Sequence, residues 1–225
     1  MIERAGAVNL RARIGARIRT DILDGAWAPG ASLRIDELRA RYGTSSTVVR
    51  EALMTLSADR LVELRANRGF AVRQLTAAEF ADLTELRCRV EALGIELAIE
   101  RGDLAWEGAA IAAHRALART PPWRRDDPTR LTSEWIDVHH AFHRALLSAS
   151  GVPMILDLTR SVEDATALQR TRSAAAHPRD IPGEDLAILD ATLAGDAALA
   201  GRLLRAHYEE TLEAVRRAAA LDAPA

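Results

Sequence analysis

The sequence predicts a mainly α-helical chain in two parts: an N-terminal unit of three helices closed by a small β-hairpin, and a C-terminal antiparallel α-helical bundle of about six helices. Three observations carry this. Apolar residues recur at helical spacing through most of the 225 residues, and only two short runs between residues 61 and 72 read as strand. Glycine and proline clusters cut the helical pattern at regular intervals. Charge divides unevenly, with 13 Arg against 8 Asp and Glu in residues 1–73 and 17 Arg against 24 in residues 74–225, so +5 faces −7 within a net charge of −2. The expected division is 1–74 and 75–225, with the basic part suited to a polyanion.

Composition bounds the rest. Hydrophobic residues make up 48% and charged residues 28%, the balance of a soluble globular protein. No apolar run approaches the roughly 18 residues of a membrane helix, and the N-terminus lacks a basic-then-apolar signal, so a cytoplasmic chain with no membrane partner is expected. The single cysteine, Cys88, excludes an internal disulfide framework and a multi-cysteine zinc site. All 30 basic residues are arginine.

In chain order, Ile14, Ile18, Ile22 and Leu23 form the stripe of a first helix that stops at Asp24-Gly25. A turn at Ala28-Pro29-Gly30 leads to a short helix with Ile35 and Leu38 inward. Gly43 then interrupts, a residue free to take the left-handed conformation of a tight helix–helix turn. Thr44-Ser45-Ser46 supplies hydroxyl caps for a third helix that buries Val49, Leu53 and Leu56. The runs Leu61–Leu64 and Phe70–Val72 flank a spacer containing Asn67 and Gly69, which suits a hairpin. Thr76-Ala77-Ala78-Glu79 has the form of a capping box and opens a long helix. Its stripe Leu83, Leu86, Val90, Leu93 and Leu97 is expected to face the core. Further helices are expected at about 103–119, 132–149, 153–172, 184–194 and 197–219. They are separated by Pro121-Pro122 through Pro128, by Gly151, by His177-Pro178 through Gly183, and by Gly195-Asp196.

Helix, helix, tight turn, helix, hairpin is the winged helix-turn-helix order, in which the helix after the turn enters the DNA major groove. Its first turn holds Ser45, Ser46 and Thr47, whose hydroxyls and free N–H groups suit phosphate oxygens, with Arg50 one turn on to grip guanine or phosphate. Arg68, beside Gly69 at the hairpin tip, is placed like a wing residue directed at the minor groove. In the second part, His139 and His143 are four apart on one helix, so both imidazoles face one point.

The stretch Ile22-Leu23-Asp24-Gly25, Pro29-Gly30, Glu37-Leu38, Tyr42-Gly43, Thr47-Val48-Val49-Arg50-Glu51-Ala52-Leu53, Leu61-Val62 and Arg68-Gly69 resembles the DNA-binding domain of GntR-type bacterial transcription regulators. Ser46 stands where that family usually has Arg, and Val48 where it often has Pro or Thr, which implies a different operator. Residues 78–220 resemble the all-helical FCD domain of the family's FadR-like branch, through Arg87 and Glu91, His139-His140-Ala141-Phe142-His143, Glu184-Asp185 with Ile188-Leu189, and His207. The resemblance implies four metal ligands in the order Asp, His, His, His. Here the same positions read His139, His143, Asp185 and His207. The inventory of three imidazoles and one carboxylate is kept with one pair exchanged, and it suits zinc, nickel or another first-row divalent ion.

The resemblance further implies a small carboxylate effector beside the metal, paired with Arg87 and aided by Arg144 or Arg170. The reading is thus a non-enzymatic regulator, more a repressor than an activator, that binds a palindromic double-stranded operator as a homodimer. A regulator for which the metal itself is the signal is the alternative. A metal-dependent hydrolase is a third, opposed by the lack of an HExxH pattern and by Glu134 lying off the His139/His143 face.

Overall fold

The computed structural model describes residues 2–174, 177 and 179–221, and Pro178, one of the expected helix breaks, lies outside them. The chain forms two compact units, residues 1–74 with 164–168, and residues 75–163 with 169–225. No helix among the described residues is long and apolar enough to cross a membrane.

In the first unit, α1 (Ile2–Leu23), α2 (Ile35–Tyr42) and α3 (Ser46–Ala58) pack with three short strands, β1 (Ser32–Leu33), β2 (Val62–Arg65) and β3 (Gly69–Val72). The expected stripe of α1 is buried at Ile14, Ile18, Ile22 and Leu23, and it meets Leu38, Val49, Leu53, Leu56 and Phe70 in one core. Gly43 ends α2 with φ of +61°, as the turn requires, and Ser45 caps α3 by accepting a hydrogen bond from the Val48 N–H. The hairpin pairs Arg65 with Gly69, which shortens the expected five-residue spacer to three residues. Asn67 and Gly69 at its tip both have positive φ. The sheet order is β1-β3-β2, all antiparallel, with Leu33 opposite Phe70. The sequence reading lacked β1, because two residues carry no alternation and their pairing depends on the free edge of β3.

The second unit is a bundle of α4 (Ala77–Arg101), α5 (Leu104–Arg119), α6 (Ser133–Leu147), α7 (Pro153–Ser173, whose residues 164–168 belong to the first unit), α8 (Ile181–Leu193) and α9 (Ala197–Leu221), with a 3-10 turn at Ser148–Ser150 after α6. The Thr76/Glu79 capping box forms as expected. Asp103, Thr132 and Asp180 cap α5, α6 and α8. Because α8 starts at Ile181, with Pro182 in its first turn, Asp185 lies inside the helix and plays no capping part. Gly94 lets α4 lie close to its neighbours, since a Cβ there would stand 2.8 Å from Leu147.

One expectation is corrected. The Leu stripe of α4 does not form the core face: Leu86 and Leu93 are 42% and 49% exposed. The buried face instead carries Phe80, Thr84, Arg87, Cys88, Glu91, Ile95 and Ala98. A hydrophobicity count turns α4 the wrong way because Arg87 and Glu91 are buried as a mutually neutralising pair, 2.6 Å apart.

Candidate metal centre and nucleic-acid interface

Four side chains from three helices converge inside the bundle. His139 and His143 project from successive turns of α6, Asp185 from α8 and His207 from α9, and one ligand atom of each lies within 4.8 Å of all the others. The His139 and His143 Nε2 atoms are 3.2 Å apart. Asp185 Oδ2 lies 3.5 Å from His139 Nε2, while its Oδ1 lies 3.6 Å from His143 Nε2 and 3.8 Å from His207 Nδ1. All four are buried, and Asp185 is 0% exposed.

The three Asp185 distances exceed an ordinary hydrogen bond. Both Asp185 oxygens are therefore buried without a hydrogen-bond partner. Such an orphaned carboxylate, facing three imidazoles, is an environment that could hold a cation, since buried charges pair or coordinate metals. Burial pushes the His139 imidazole down to about 3 and His207 well below its ordinary value, so both are free bases with lone pairs available. Burial works to raise Asp185, but the surrounding imidazoles hold its carboxyl below the usual range. Three imidazoles and one carboxylate, all buried, fit a borderline divalent ion.

A layer of polar groups holds this centre, and much of it escaped the sequence reading. The Trp135 ring stacks on His139 at 4.7 Å. The Tyr208 hydroxyl lies 3.1 Å from His143 Nδ1 and donates to Glu91 at 2.5 Å. His207 Nδ1 lies 2.9 Å from Glu184, which is ion-paired with Arg179. Glu163 accepts from Arg144 at 2.6 Å and lies 3.4 Å from Arg87. Burial raises Glu163, whereas Glu91, which burial also works to raise, is held low by Arg87. Tyr208, Glu163 and Arg179 carry no spacing signal, because each meets the centre from a different helix or turn, whereas Trp135 lies four residues before His139 on α6 and so shares the spacing of the histidine pair.

Arg87, expected to grip an effector, is committed to Glu91 and Glu163 and lies over the Tyr208 ring at 4.2 Å. It does not line the cavity beside the centre. That cavity, of about 50 Å³, is bounded by His139 and His207, by the apolar Leu131, Trp135 and Ile181, and by Arg170. Arg170 contacts His140, its Nε has no hydrogen-bond partner, and it has no carboxylate partner among the described residues. Burial, with Arg87 nearby, pulls it down to about 10, so it keeps its charge at neutral pH.

In the first unit, Ser46, Thr47 and Arg50 are exposed on α3, and Arg68 and Gly69 are exposed on the hairpin. Ser45 is exposed as well, though its hydroxyl is engaged as the cap. The side chains of Arg50 and Arg68 make no hydrogen bond or ion pair among the described residues. Both guanidiniums are thus available to a polyanion.

Comparison with known proteins matches residues 10–72 to the bacterial regulatory proteins of the gntR family and residues 82–210 to the FCD domain. The chain is 32% identical to the uncharacterized HTH-type transcriptional regulator BphR of Paraburkholderia xenovorans, covering 93% of this chain and 87% of that protein. It is 29% identical to the HTH-type transcriptional repressor GlaR of Escherichia coli, covering 90% and 94%. Among solved structures, a GntR transcriptional regulator from Rhodococcus sp. RHA1 aligns over 92% of this chain and 97% of its own, with a TM-score of 0.71 and 28% identity.

Proposed function

The chain belongs to the GntR family of bacterial regulatory proteins and carries an FCD domain, and from that premise we propose that it is a repressor whose grip on DNA answers to a small organic acid bound beside a divalent metal ion. A DNA-binding transcription regulator is what the family and its relatives are, and these are not enzymes. The observation that carries the finer reading is the orphaned Asp185 carboxylate among His139, His143 and His207, next to a cavity walled by Arg170, which has no carboxylate partner among the described residues.

His139, His143, Asp185 and His207 would hold the ion, which when bound supplies a Lewis-acidic centre for an oxygen ligand. The chain's own residues do the rest. Arg170 offers the acid a charge-assisted hydrogen bond without first breaking an internal ion pair, a step that Arg87 would require. Leu131, Trp135 and Ile181 exclude water from the acid's body, and the small cavity favours a short acid. Acid binding releases DNA only insofar as it favours the arrangement of the chain that binds the operator less well. This cavity is also what favours an acid over the metal alone as the signal. Glu134, the nearest thing to a hydrolytic base in the sequence reading, is exposed on α6.

Ser45, Ser46, Thr47 and Arg50 would read the major groove, and Arg68 with Gly69 the minor groove, on each half of a palindrome. That symmetry requires a homodimer. The stripe that the core leaves over, Leu86 and Leu93 with the half-buried Val90 and Leu97, has the 3-4 spacing of a helix seam. Arg89 and Glu96, exposed beside it and seven residues apart, bear opposite charges. A two-fold contact between copies would set each against the other.

The test is elemental analysis of the purified protein, followed by operator-shift titrations with short carboxylic acids before and after chelation. The reading expects about one divalent ion per chain and acid-induced release that is lost on chelation. It also expects an Arg170→Gln protein that keeps its metal but needs tenfold or more acid, the loss of a charge-assisted hydrogen bond worth roughly 1.5–3 kcal/mol. No stoichiometric metal, even after reloading, ends the coordination reading and leaves the DNA-binding assignment in place.

A further inference from the structure

His143 reaches the centre with one ring nitrogen and the protein with the other, and the hydrogen bonds on the protein side leave its proton a single position. Arg87 Nε donates to Glu91 Oε1 at 2.6 Å, both groups being buried. Glu91 is thereby an ionised carboxylate and can only accept. The Tyr208 hydroxyl has one proton, and at 2.5 Å from Glu91 Oε2 that proton is given to Glu91. What remains on the Tyr208 oxygen is acceptor capacity. Its 3.1 Å contact with His143 Nδ1 therefore needs the proton on Nδ1. In its neutral form, the form that can ligate, the imidazole carries one N–H, so Nε2 is left with a bare lone pair. That nitrogen is the one 3.2 Å from His139 Nε2 and 3.6 Å from Asp185 Oδ1.

We propose that Tyr208, oriented by Glu91 and Arg87, is the positioning residue that locks His143 in its Nδ1–H tautomer and aims the Nε2 lone pair at the centre before any ion arrives. The inference rests on the metal reading for its purpose but not for its geometry. It also gives Arg87 a role that its burial permits: Arg87 anchors this relay from α4 and does not meet the acid. Histidine ligands elsewhere gain affinity when their second nitrogen is held by a hydrogen-bonded partner, and loss of such a partner weakens binding about 10–100-fold. His207 is held differently, by the Glu184 carboxylate at 2.9 Å. Tyr208 thus acts through one ligand of the three.

The test uses the full-length protein labelled with ¹⁵N at histidine. In the metal-free wild type, long-range ¹H–¹⁵N correlation should show His143 protonated at Nδ1. Tyr208→Phe keeps the ring beneath the Arg87 guanidinium and deletes only the hydroxyl. It should lose the fixed tautomer and, in competition with a chromogenic chelator, bind Zn²⁺ about 10–100-fold more weakly while keeping all four ligands. Glu91→Gln should do the same with Tyr208 intact, because a side-chain amide can donate to the phenol and so free its proton for His143. Protonation of His143 at Nε2 in the metal-free wild type overturns the proposal, and so does a folded Tyr208→Phe protein with wild-type zinc affinity. A wild-type protein that shows the Nδ1–H form but takes up no zinc overturns the metal reading instead, and the tautomer assignment stands.

Discussion

Replacing Asp185 with Asn should move the metal-free and metal-loaded proteins in opposite directions. In the metal-free protein the carboxylate is 0% exposed, neither oxygen has a hydrogen-bond partner, and three imidazole nitrogens stand 3.5, 3.6 and 3.8 Å from it. A buried group left unsatisfied costs about 1–3 kcal/mol, more when charged. The isosteric amide carries no charge and can donate to an imidazole lone pair, so Asp185→Asn should stabilise the metal-free protein on the order of 1–3 kcal/mol. For a chain of this size each kcal/mol is about 2–4 °C in Tm. In the loaded protein the same change removes the only anionic ligand and leaves a dication with neutral partners. Breaking a buried charge pair costs roughly 3–5 kcal/mol, which is about 10²–10⁴-fold in affinity. Melting curves with chelator and with excess Zn²⁺, together with a competition assay for affinity, read both effects. A metal-free Asp185→Asn protein that melts below wild type, or one that keeps zinc affinity within tenfold, would refute the reasoning.

Arg50→Ala should weaken operator binding by about 1–3 kcal/mol in anisotropy titrations at fixed salt, and Arg68→Ala by less if the wing meets only the backbone; wild-type affinity in Arg50→Ala would remove α3 as the reading helix. Metal-free protein should lose stability as pH falls. His139 has an unfolded value near 6.5 and a folded value of about 3, so protonation of the unfolded chain withdraws about 1.4 kcal/mol between pH 7.5 and 5.5. The likewise depressed His140 and His207 bring this to at most ~4 kcal/mol in urea melts, partly offset by Glu163, whose pKa is raised. A flat profile over that range would mean that these imidazoles take up protons in the fold as readily as in the unfolded chain. Leu93→Glu, which puts a charge in the proposed seam of α4, should convert a dimer to monomer in sedimentation velocity, and an unchanged dimer would place the contact elsewhere.

How much of the fold is legible in the sequence depends on whether a local rule decides it. The stripe Ile14/Ile18/Ile22, the left-handed Gly43, the Ser45 cap and the Thr76/Glu79 box each rest on neighbours within one or two turns, and all form as read. What failed was a choice between two faces of one helix. On α4 the Leu stripe is the more hydrophobic side, yet the inward side holds Arg87, Cys88 and Glu91. Burying that side is tolerable only because Glu91 on the same helix, with Tyr208 and Glu163 from α9 and α7, satisfies the guanidinium. Such compensation between distant segments leaves no periodicity to count.

The same distinction governs the proposed metal centre. The His139/His143 pair is visible in spacing alone, because one helix delivers both rings. Asp185 and His207 reach the sequence reading only through the family resemblance, and the exchange of Asp and His between positions 139 and 185 is where the chain's own physics shows. A carboxylate at 139 would set its charge against the face of the Trp135 ring, which now stacks on an imidazole at 4.7 Å and is electron-rich on that face. At 185, one turn inside α8, the carboxylate has oxygens toward all three rings and toward no donor. Metal-free, this is the costlier arrangement; with an ion it is the one in which the only anionic ligand spends no lone pair on the protein. A centre built this way couples its stability to loading. Chelation should therefore lower Tm by more in this chain than in an Asp185→Asn protein, for which the ion contributes little.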